Sequence, residues 1–259
     1  MSKSVRERIV PLILTFNEER NLSRVLSKLE WATRVVVVDS FSDDRTEAIA
    51  AGFQHVEFHK RAFDSLAQQW NFGLEHASRL GEWVLALDAD YVLSDELIDE
   101  LGELAAEDEV AGYDARFIYC IDGLPLRASL YPPHTVLFRA KGARYVQDGH
   151  TQRIVLEGST RSLVHPIYHD DRKTWTRWYA NQQRYAHLEA EKLDKSPWSA
   201  LPFSGKMRRI PLLVVLGAPL YLLMGKGLWR DGIRGWKYIW QRLVAEWLIQ
   251  RSLWAKVKG

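Results

Sequence analysis

The sequence predicts an α/β domain on a mixed sheet flanked by helices, with a helical extension at its C-terminal end. Three observations predict it: short apolar runs alternating with helical patterns up to about residue 110, strand-and-turn pieces after that, and a tryptophan-rich, basic last third.

The apolar runs are Ile9 to Leu14, Val35 to Val38, Val56 to Phe58 and Trp83 to Leu87, read as strands of a parallel sheet. Pro11 is awkward in the first, because a central strand needs its N–H groups. Between the runs, Glu18 to Leu29, Thr46 to Ala51 and Ser65 to Leu80 read as helices. Ser94 opens another through Leu104, with acids in its first turn. Tyr113 to Ile121, the Asp122-Gly123 turn and Leu124 to Leu130 read as strands of the mixed second half. Trp175, Trp178, Tyr179, Gln182, Tyr185 and Leu188 are spaced for one face of a helix over about 172–193. Ser196 to Gly205, with two prolines, reads as a linker. The expected division is therefore residues 1–195, split at about residue 110 into two halves (1–110 and 111–195), followed by a helical, tryptophan-rich basic region at 196–259.

That last region contains IPLLVVLGAPLYLLM at 210–224, an uncharged run too short for the roughly 20 residues that span a bilayer. Basic residues lie on both sides of it, so it gives no orientation and reads as an interfacial or re-entrant hairpin. In the final helix Trp236, Trp240, Leu243, Val244, Trp247 and Leu248 share one side, the pattern of an amphipathic helix on anionic lipid. Packing against the rest of the chain or against a second subunit is the competing reading of both segments, and a homo-oligomer is compatible with it. Eight of the 11 tryptophans lie from Trp175 onward.

Across 259 residues the net charge is only +2, which does not call for a nucleic-acid partner. The single cysteine, Cys120, excludes an intramolecular disulfide. MSKSVRERIV lacks an apolar signal-peptide core, so the domain is expected at the cytoplasmic face of the inner (plasma) membrane, peripheral or monotopic.

The strongest chemical signal is WVLALDADYVLS. An apolar strand that delivers Asp88 and Asp90 at its C-terminal end sets two carboxylates at the ligand-binding edge of an α/β sheet. There they suit Mg²⁺ or Mn²⁺ shared with phosphate oxygens. The tripeptide alone is weak, since paired acids at strand ends are commonly solvated. Two earlier strand ends add to it: TFNEE places Thr15, Asn17 and Glu18 after the first strand, and DSFSDD places Asp39 and Ser40 after the second. Such acceptors suit uracil and ribose, although capping and turn formation are their common use. No GxGxxG follows the first strand and no GxxxxGK[ST] occurs, which disfavours a dinucleotide-binding dehydrogenase and a P-loop NTPase. Lys60, Arg61, Gln69 and Asn71 either assist at this edge or are ordinary surface residues. His165 and His169, four apart around Pro166, read as structural or as a second metal pair.

In order, TFNEE, VVVDSFSDDRT, QQWNFGL and LALDADYVLSDEL resemble family-2 glycosyltransferases of the GT-A fold, particularly the lipopolysaccharide-core β-glucosyltransferase subgroup. The resemblance covers residues 8–170 and continues more loosely in GLWRDGIRGWKYIWQR. It implies that Thr15, Asn17 and Glu18 line the nucleoside pocket, with Asp39 on uracil or ribose and Asn71 near it. It also implies Asp88 on ribose and metal, and Asp90 as the principal metal ligand. Trp70 departs from the pattern, which has lysine just before the asparagine. An inverting transfer needs a base for the acceptor hydroxyl. The subgroup's His-Glu pair corresponds to RYVQDGHTQRI, where Thr151 replaces the glutamate; Asp148 is the first candidate base, with His150 as a metal ligand or substitute base, and a plain Asp-Gly turn is the bland alternative. The expected function is inverting transfer of a hexose, glucose being the candidate, from a UDP-sugar to a lipid-linked saccharide in cell-surface polysaccharide or lipopolysaccharide synthesis. A catalytically impaired scaffold of the same fold and a metal-dependent nucleotidyltransferase are the alternatives.

Overall fold

The structure is a computed structural model, described for residues 5–104, 110–148 and 151–257. Two compact units emerge: one comprises the chain to Gly123, Tyr131–Gln147 and Gln152–Arg172, the other Leu124–Leu130, Asp148–Thr151 and the chain from Lys173 on.

The first unit begins β1 (Ile9–Thr15), α1 (Leu22–Ser27), β2 (Val35–Asp39), α2 (Thr46–Ala51), β3 (Val56–Lys60), α3 (Leu66–Ala77), β4 (Trp83–Asp88), β5 (Tyr91–Leu93) and α4 (Asp95–Glu103). Then come β6 (Val110–Ala115), β7 (Phe117–Ile121), the short β8 (Leu124–Pro125) of the second unit, β9 (His134–Arg139), β10 (Arg144–Asp148), β11 (Thr151–Val155), β12 (Ser159–Ser162) and β13 (Ile167–His169). The main sheet runs β12-β6-β9-β4-β1-β2-β3, with β1 to β4 parallel and β9 antiparallel to both neighbours. It is the α/β mixed sheet expected. β5, β13 and β7 form a smaller sheet, and β10 pairs with β11.

Period-two burial explains the layering. Ile9, Ile13, Val35, Val37, Leu85 and Leu87 pack with Leu22, Leu26, Leu97 and Leu101 of α1 and α4 on one face. Leu12, Val36, Val38, Val84 and Ala86 pack with Ala67, Trp70, Leu74 and Ala77 of α3 on the other. Each fully buried aliphatic side chain contributes about 1.5–3 kcal/mol. α3 approaches β1 closely because Gly73 has no side chain: a Cβ there would lie 2.5 Å from Leu12 Cδ1. Pro11 is tolerated because β1 meets β2 only from Leu12 onward, so Pro11 takes part in one ladder instead of two.

Several expected boundaries shift for local reasons. α1 starts at Leu22, later than Glu18, because Glu18 to Asn21 form a turn in which both Asn21 and Leu22 donate to the Glu18 carbonyl. The single strand expected over Tyr113 to Ile121 is two, since the chain leaves the main sheet at Arg116 and continues in the small one. Ser65 and Ser94 cap α3 and α4, accepting from Gln68 N and Leu97 N.

The second unit holds α5 (Trp175–Lys195), α6 (Phe203–Arg209), α7 (Leu213–Leu220) and α8 (Ile233–Val257). The linker expected at Ser196 to Gly205 is more ordered than that: Leu201 and Gly205 are buried, and α6 begins within it. Ala186 and Leu193 of α5 pack on Leu248 and Ile249 of α8, with Leu201 between. Arg208 crosses this core to Glu246, with two hydrogen bonds of 2.8 Å, and to Glu189 at 3.3 Å; Arg242 adds a second cation on Glu246. These arginines outweigh burial and hold the Glu246 carboxyl below its ordinary range.

The Asp-Gly…Gly stretch of the tail is a fastening. Asp231 accepts from the backbone N–H (3.1 Å) and Nε (3.0 Å) of Arg127, and Tyr238 Oη accepts from Leu130 N at 2.9 Å. Gly232 has φ 60°, and a Cβ on Gly235 would lie 1.9 Å from the Leu228 carbonyl oxygen.

The 210–224 run is broken by Leu212 at φ 59° and by Pro219, so α7 is short and ends in a wide turn over Tyr221–Gly225. No helix among the described residues is long and apolar enough to cross a membrane. Phe203 (77 %), Leu216 (64 %), Met224 (74 %) and Ile233 (85 %) are nevertheless strongly exposed. On α8, Trp236, Trp240, Trp247 and Trp254 are exposed along one side, while Tyr238, Ala245 and Ile249 are buried on the other. Leu248, expected beside the tryptophans, belongs to the packed side. From Trp198 onward there are eleven Lys and Arg and two acids, Asp231 and Glu246, each already paired with arginine.

Candidate active site at the strand ends of the first unit

Parallel pairing in register brings the three motifs to one sheet edge: Thr15 lies opposite Asp39, and Leu14 opposite Asp88. This is where an open α/β sheet binds ligands.

Asp39 is fully buried and organises the first two loops. Its Oδ1 accepts from Thr15 Oγ1 (2.8 Å) and Ser42 Oγ (2.5 Å), and its Oδ2 from Ser42 N (2.7 Å). Asn17, at φ 57°, donates its N–H to Ser42 Oγ (2.6 Å), and its Oδ1 accepts from Asp43 N (2.8 Å). Glu18 N donates to Thr46 Oγ1 (2.7 Å), and Glu18 Oε2 accepts from Asn21 Nδ2 (2.8 Å). Thr15, Asn17, Glu18 and Asp39 are thus brought together by hydrogen bonds that tie the loop after β1 to the loop after β2. Phe16 and Phe41 flank them with exposed rings, apolar surfaces that suit a flat base.

Gln69 is buried, donating to Ser40 Oγ (2.9 Å) and the Arg61 carbonyl (3.0 Å), so it joins the loops after β2 and β3. Lys60 pairs with Glu47 (2.7 Å) and Arg61 with Asp64 (2.7 Å). Asn71 is placed elsewhere: its Nδ2 donates to the Tyr145 carbonyl (2.9 Å) and its Oδ1 accepts from Tyr145 N (2.8 Å), pinning β10 to α3. Trp70 lies in the core, stacked on Tyr145 at 5.3 Å between ring centroids, so the departure from lysine is a packing choice.

Asp88 is half-buried at the end of β4 and Asp90 is buried just beyond it. His169 Nε2 stands 3.6 Å from Asp90 Oδ2. Burial works against a charged imidazole, but Asp90, Asp171 and Asp88 outweigh it and raise the His169 pKa. Tyr91 and Tyr131 share a short hydroxyl contact, and their pKa values rise through burial and then the nearby Asp88. Tyr119 and Tyr131 meet the His169 ring at 4.8 and 4.7 Å. Among the described residues no group of three or more His, Cys, Asp or Glu is arranged as a metal site. Two oxygen donors from the protein fit a hard divalent cation that takes its remaining ligands from a diphosphate and water.

His165 serves a different purpose. Its Nδ1 lies 3.0 Å from Glu100 Oε2, and the same carboxylate accepts from the N–H groups of Val164 and His165. His165 and His169 therefore go to separate partners, which favours the structural reading over a second metal pair.

Asp148 belongs to the second unit, where Lys192 Nζ lies 2.5 Å from its Oδ1 and Thr151 Oγ1 donates to its carbonyl at 3.0 Å. His150 lies outside the described residues. Sequence reasoning passed over Phe16, Asn21, Ser42, Thr46, Tyr131 and Asp170. Ser42 and Thr46 sit inside the quoted DSFSDDRT, whereas Tyr131 and Asp170 have no motif around them and reach the edge only through the fold.

A family model described as glycosyl transferase family 2 matches residues 12–209. The lipopolysaccharide core biosynthesis glycosyltransferase LpsC of Rhizobium meliloti is 30 % identical over 247 residues, covering 86 % of this chain and 83 % of that protein. An uncharacterized glycosyltransferase of Rickettsia conorii is 32 % identical over 122 residues, covering 46 % of this chain and 42 % of its own length. Among solved structures, S. aureus TarS residues 1–349 in complex with UDP-GlcNAc superposes with a TM-score of 0.52 at 14 % identity, over 97 % of this chain and 92 % of that one. The last likeness speaks for the fold, and the first two, with the three motifs on one sheet edge, establish that this chain belongs to glycosyl transferase family 2.

Proposed function

We propose that the chain transfers a hexose, glucose being the first candidate, with inversion from a UDP-sugar to a lipid-linked saccharide during cell-surface polysaccharide or lipopolysaccharide synthesis. The observation that carries this reading is the in-register edge of Thr15, Asp39 and Asp88, with Asp90 one step beyond. UDP-GlcNAc in TarS and the core-biosynthesis name of LpsC support the donor and the acceptor class.

In this reading Thr15, Asn17, Glu18 and Asp39 shape the nucleoside pocket, and Phe16 and Phe41 offer faces to the base. Asp88 and Asp90 hold Mg²⁺ or Mn²⁺, which when bound neutralises the diphosphate leaving group. The acceptor hydroxyl gives its proton to Asp148 or His150 as it attacks the anomeric carbon. Asn71 takes part only by fixing β10.

The acceptor is delivered by a membrane, and residues 196–259 dock the enzyme on its anionic cytoplasmic face. The exposed tryptophan side of α8 and the excess of Lys and Arg over acids from Trp198 onward support a peripheral or monotopic attachment.

The test is purified protein with Mn²⁺, a panel of nucleotide sugars and a truncated lipid-linked core acceptor, with product configuration read by NMR. A UDP-hexose giving the inverted glycoside and free UDP is expected. Pyrophosphate release would instead identify a nucleotidyltransferase, and nucleotide binding without turnover on any acceptor would identify a scaffold.

A further inference from the structure

β13 runs antiparallel to β5 with His169 opposite Tyr91, so the chain that leaves β13 passes directly beside the Asp90 backbone. Asp170 N donates to the Asp90 carbonyl at 2.9 Å. Asp170 is 6 % exposed, and its side chain is gripped from two directions. Arg172 reaches its Oδ2 with Nε at 3.0 Å and a second nitrogen at 2.9 Å, and Arg24 of α1 approaches the same oxygen at 3.2 Å. Arg24 also donates to the Asp170 carbonyl at 2.8 Å.

The grip extends to the first motif. Asn21 is fully buried and all its amide capacity is used: Oδ1 accepts from Arg172 N (3.1 Å) and Arg24 (3.1 Å), while Nδ2 donates to Glu18 (2.8 Å) and Asp171 (3.4 Å). One polar network therefore joins TFNEERN at the start of the chain to the backbone of Asp90 through His169-Asp170-Asp171-Arg172. A buried carboxylate held by two guanidinium groups is costly to assemble and stiff once made. Its most direct mechanical output is the position of Asp90.

We propose that Asp170, clamped by Arg24 and Arg172 and linked through Asn21 to Glu18, is a positioning residue that fixes Asp90 where the divalent cation binds. This rests on the metal reading given under the proposed function. Residues behind a metal ligand commonly tune affinity by about 10–100-fold when removed.

The test compares wild type, Asp170→Asn, Arg24→Gln and Arg24→Lys, all checked for folding by thermal melting. Mn²⁺ binding in the presence of UDP is measured by electron paramagnetic resonance, and UDP binding without metal by calorimetry. The expected result is roughly tenfold weaker Mn²⁺ binding in Asp170→Asn and Arg24→Gln, partial recovery in Arg24→Lys and unchanged metal-free UDP binding. If Asp170→Asn does not fold, the two Arg24 variants carry the comparison. Unchanged Mn²⁺ affinity in the variants overturns the positioning role while leaving the metal reading intact. Wild-type protein that binds no Mn²⁺ with UDP overturns the metal reading and the proposal with it.

Discussion

The strand-end edge of the first unit and the outward side of the C-terminal helices use opposite physics. At the edge, Asp39, Asp90, Glu18 and Asn21 are buried, and geometry is fixed by hydrogen bonds such as Asn17 N to Ser42 Oγ at 2.6 Å and Arg172 N to Asn21 Oδ1 at 3.1 Å, between loops far apart in sequence. On the outward side of α7 and α8 the large side chains, Leu216, Trp236, Trp240 and Trp247 among them, are exposed, and the two acids are neutralised internally. A site of the first kind fails when one atom moves. A surface of the second kind loses strength in increments as side chains are removed.

Asp90→Ala removes a carboxylate from the edge. UDP release from the donor sugar is expected to fall by about 10²–10³-fold, the scale of losing one preorganised electrostatic group, with vesicle binding unchanged. Full retention of activity would sink the assignment of Asp90.

Truncating Trp236 and Trp240 together to Ala is expected to weaken co-sedimentation with anionic vesicles by on the order of a hundredfold, roughly tenfold for each partly buried ring. Donor-sugar hydrolysis in detergent-free buffer should stay the same. Equal binding to neutral and anionic vesicles would remove the electrostatic half of the docking account, and a stable dimer burying these tryptophans would replace the membrane with a second copy.

Gly235→Ala sets a methyl group 1.9 Å from the Leu228 carbonyl oxygen, and that oxygen is backbone. A loss of about 1–3 kcal/mol is expected, read as a lower melting temperature. Wild-type stability in this variant would mean that the start of α8 is looser than described.

The smallest effect concerns acid. Glu246 has its pKa lowered in the folded chain, so its stabilisation is fully present above its unfolded value of 4.5 and is lost as pH falls through the lower folded value. In Glu246→Gln the acid limb of the stability curve should flatten relative to wild type, as measured by urea unfolding between about pH 3 and 6. Parallel acid limbs would show that Arg208 and Arg242 do not depend on this charge.

What was legible in the sequence divides along the same line. The four parallel strands, the helix starts at Ser65 and Ser94 and the strand-end acids follow from local periodicity, capping and motif order. Asn71 was misleading because its neighbourhood in sequence matches the site, whereas its amide is taken by the Tyr145 backbone 74 residues away. Asp170 was invisible for the converse reason: strand pairing between β13 and β5 sets it beside Asp90 and the packing of α1 brings Arg24 to it, neither of which a short motif encodes. In the tail, the spacing of the tryptophans gave the exposed side of α8, but Leu248 at its margin was assigned to the wrong side by about one helical step.

The proposed role of Asp88 and Asp90 is to hold a nucleotide diphosphate through a divalent cation. Calorimetric titration of UDP into chelator-treated protein, with and without Mn²⁺, tests it most directly. At least about tenfold tighter UDP binding with Mn²⁺ is expected in the wild type and no such gain in Asp90→Ala, a difference of about 1.4 kcal/mol or more. UDP binding that is indifferent to Mn²⁺ in the wild type would contradict it.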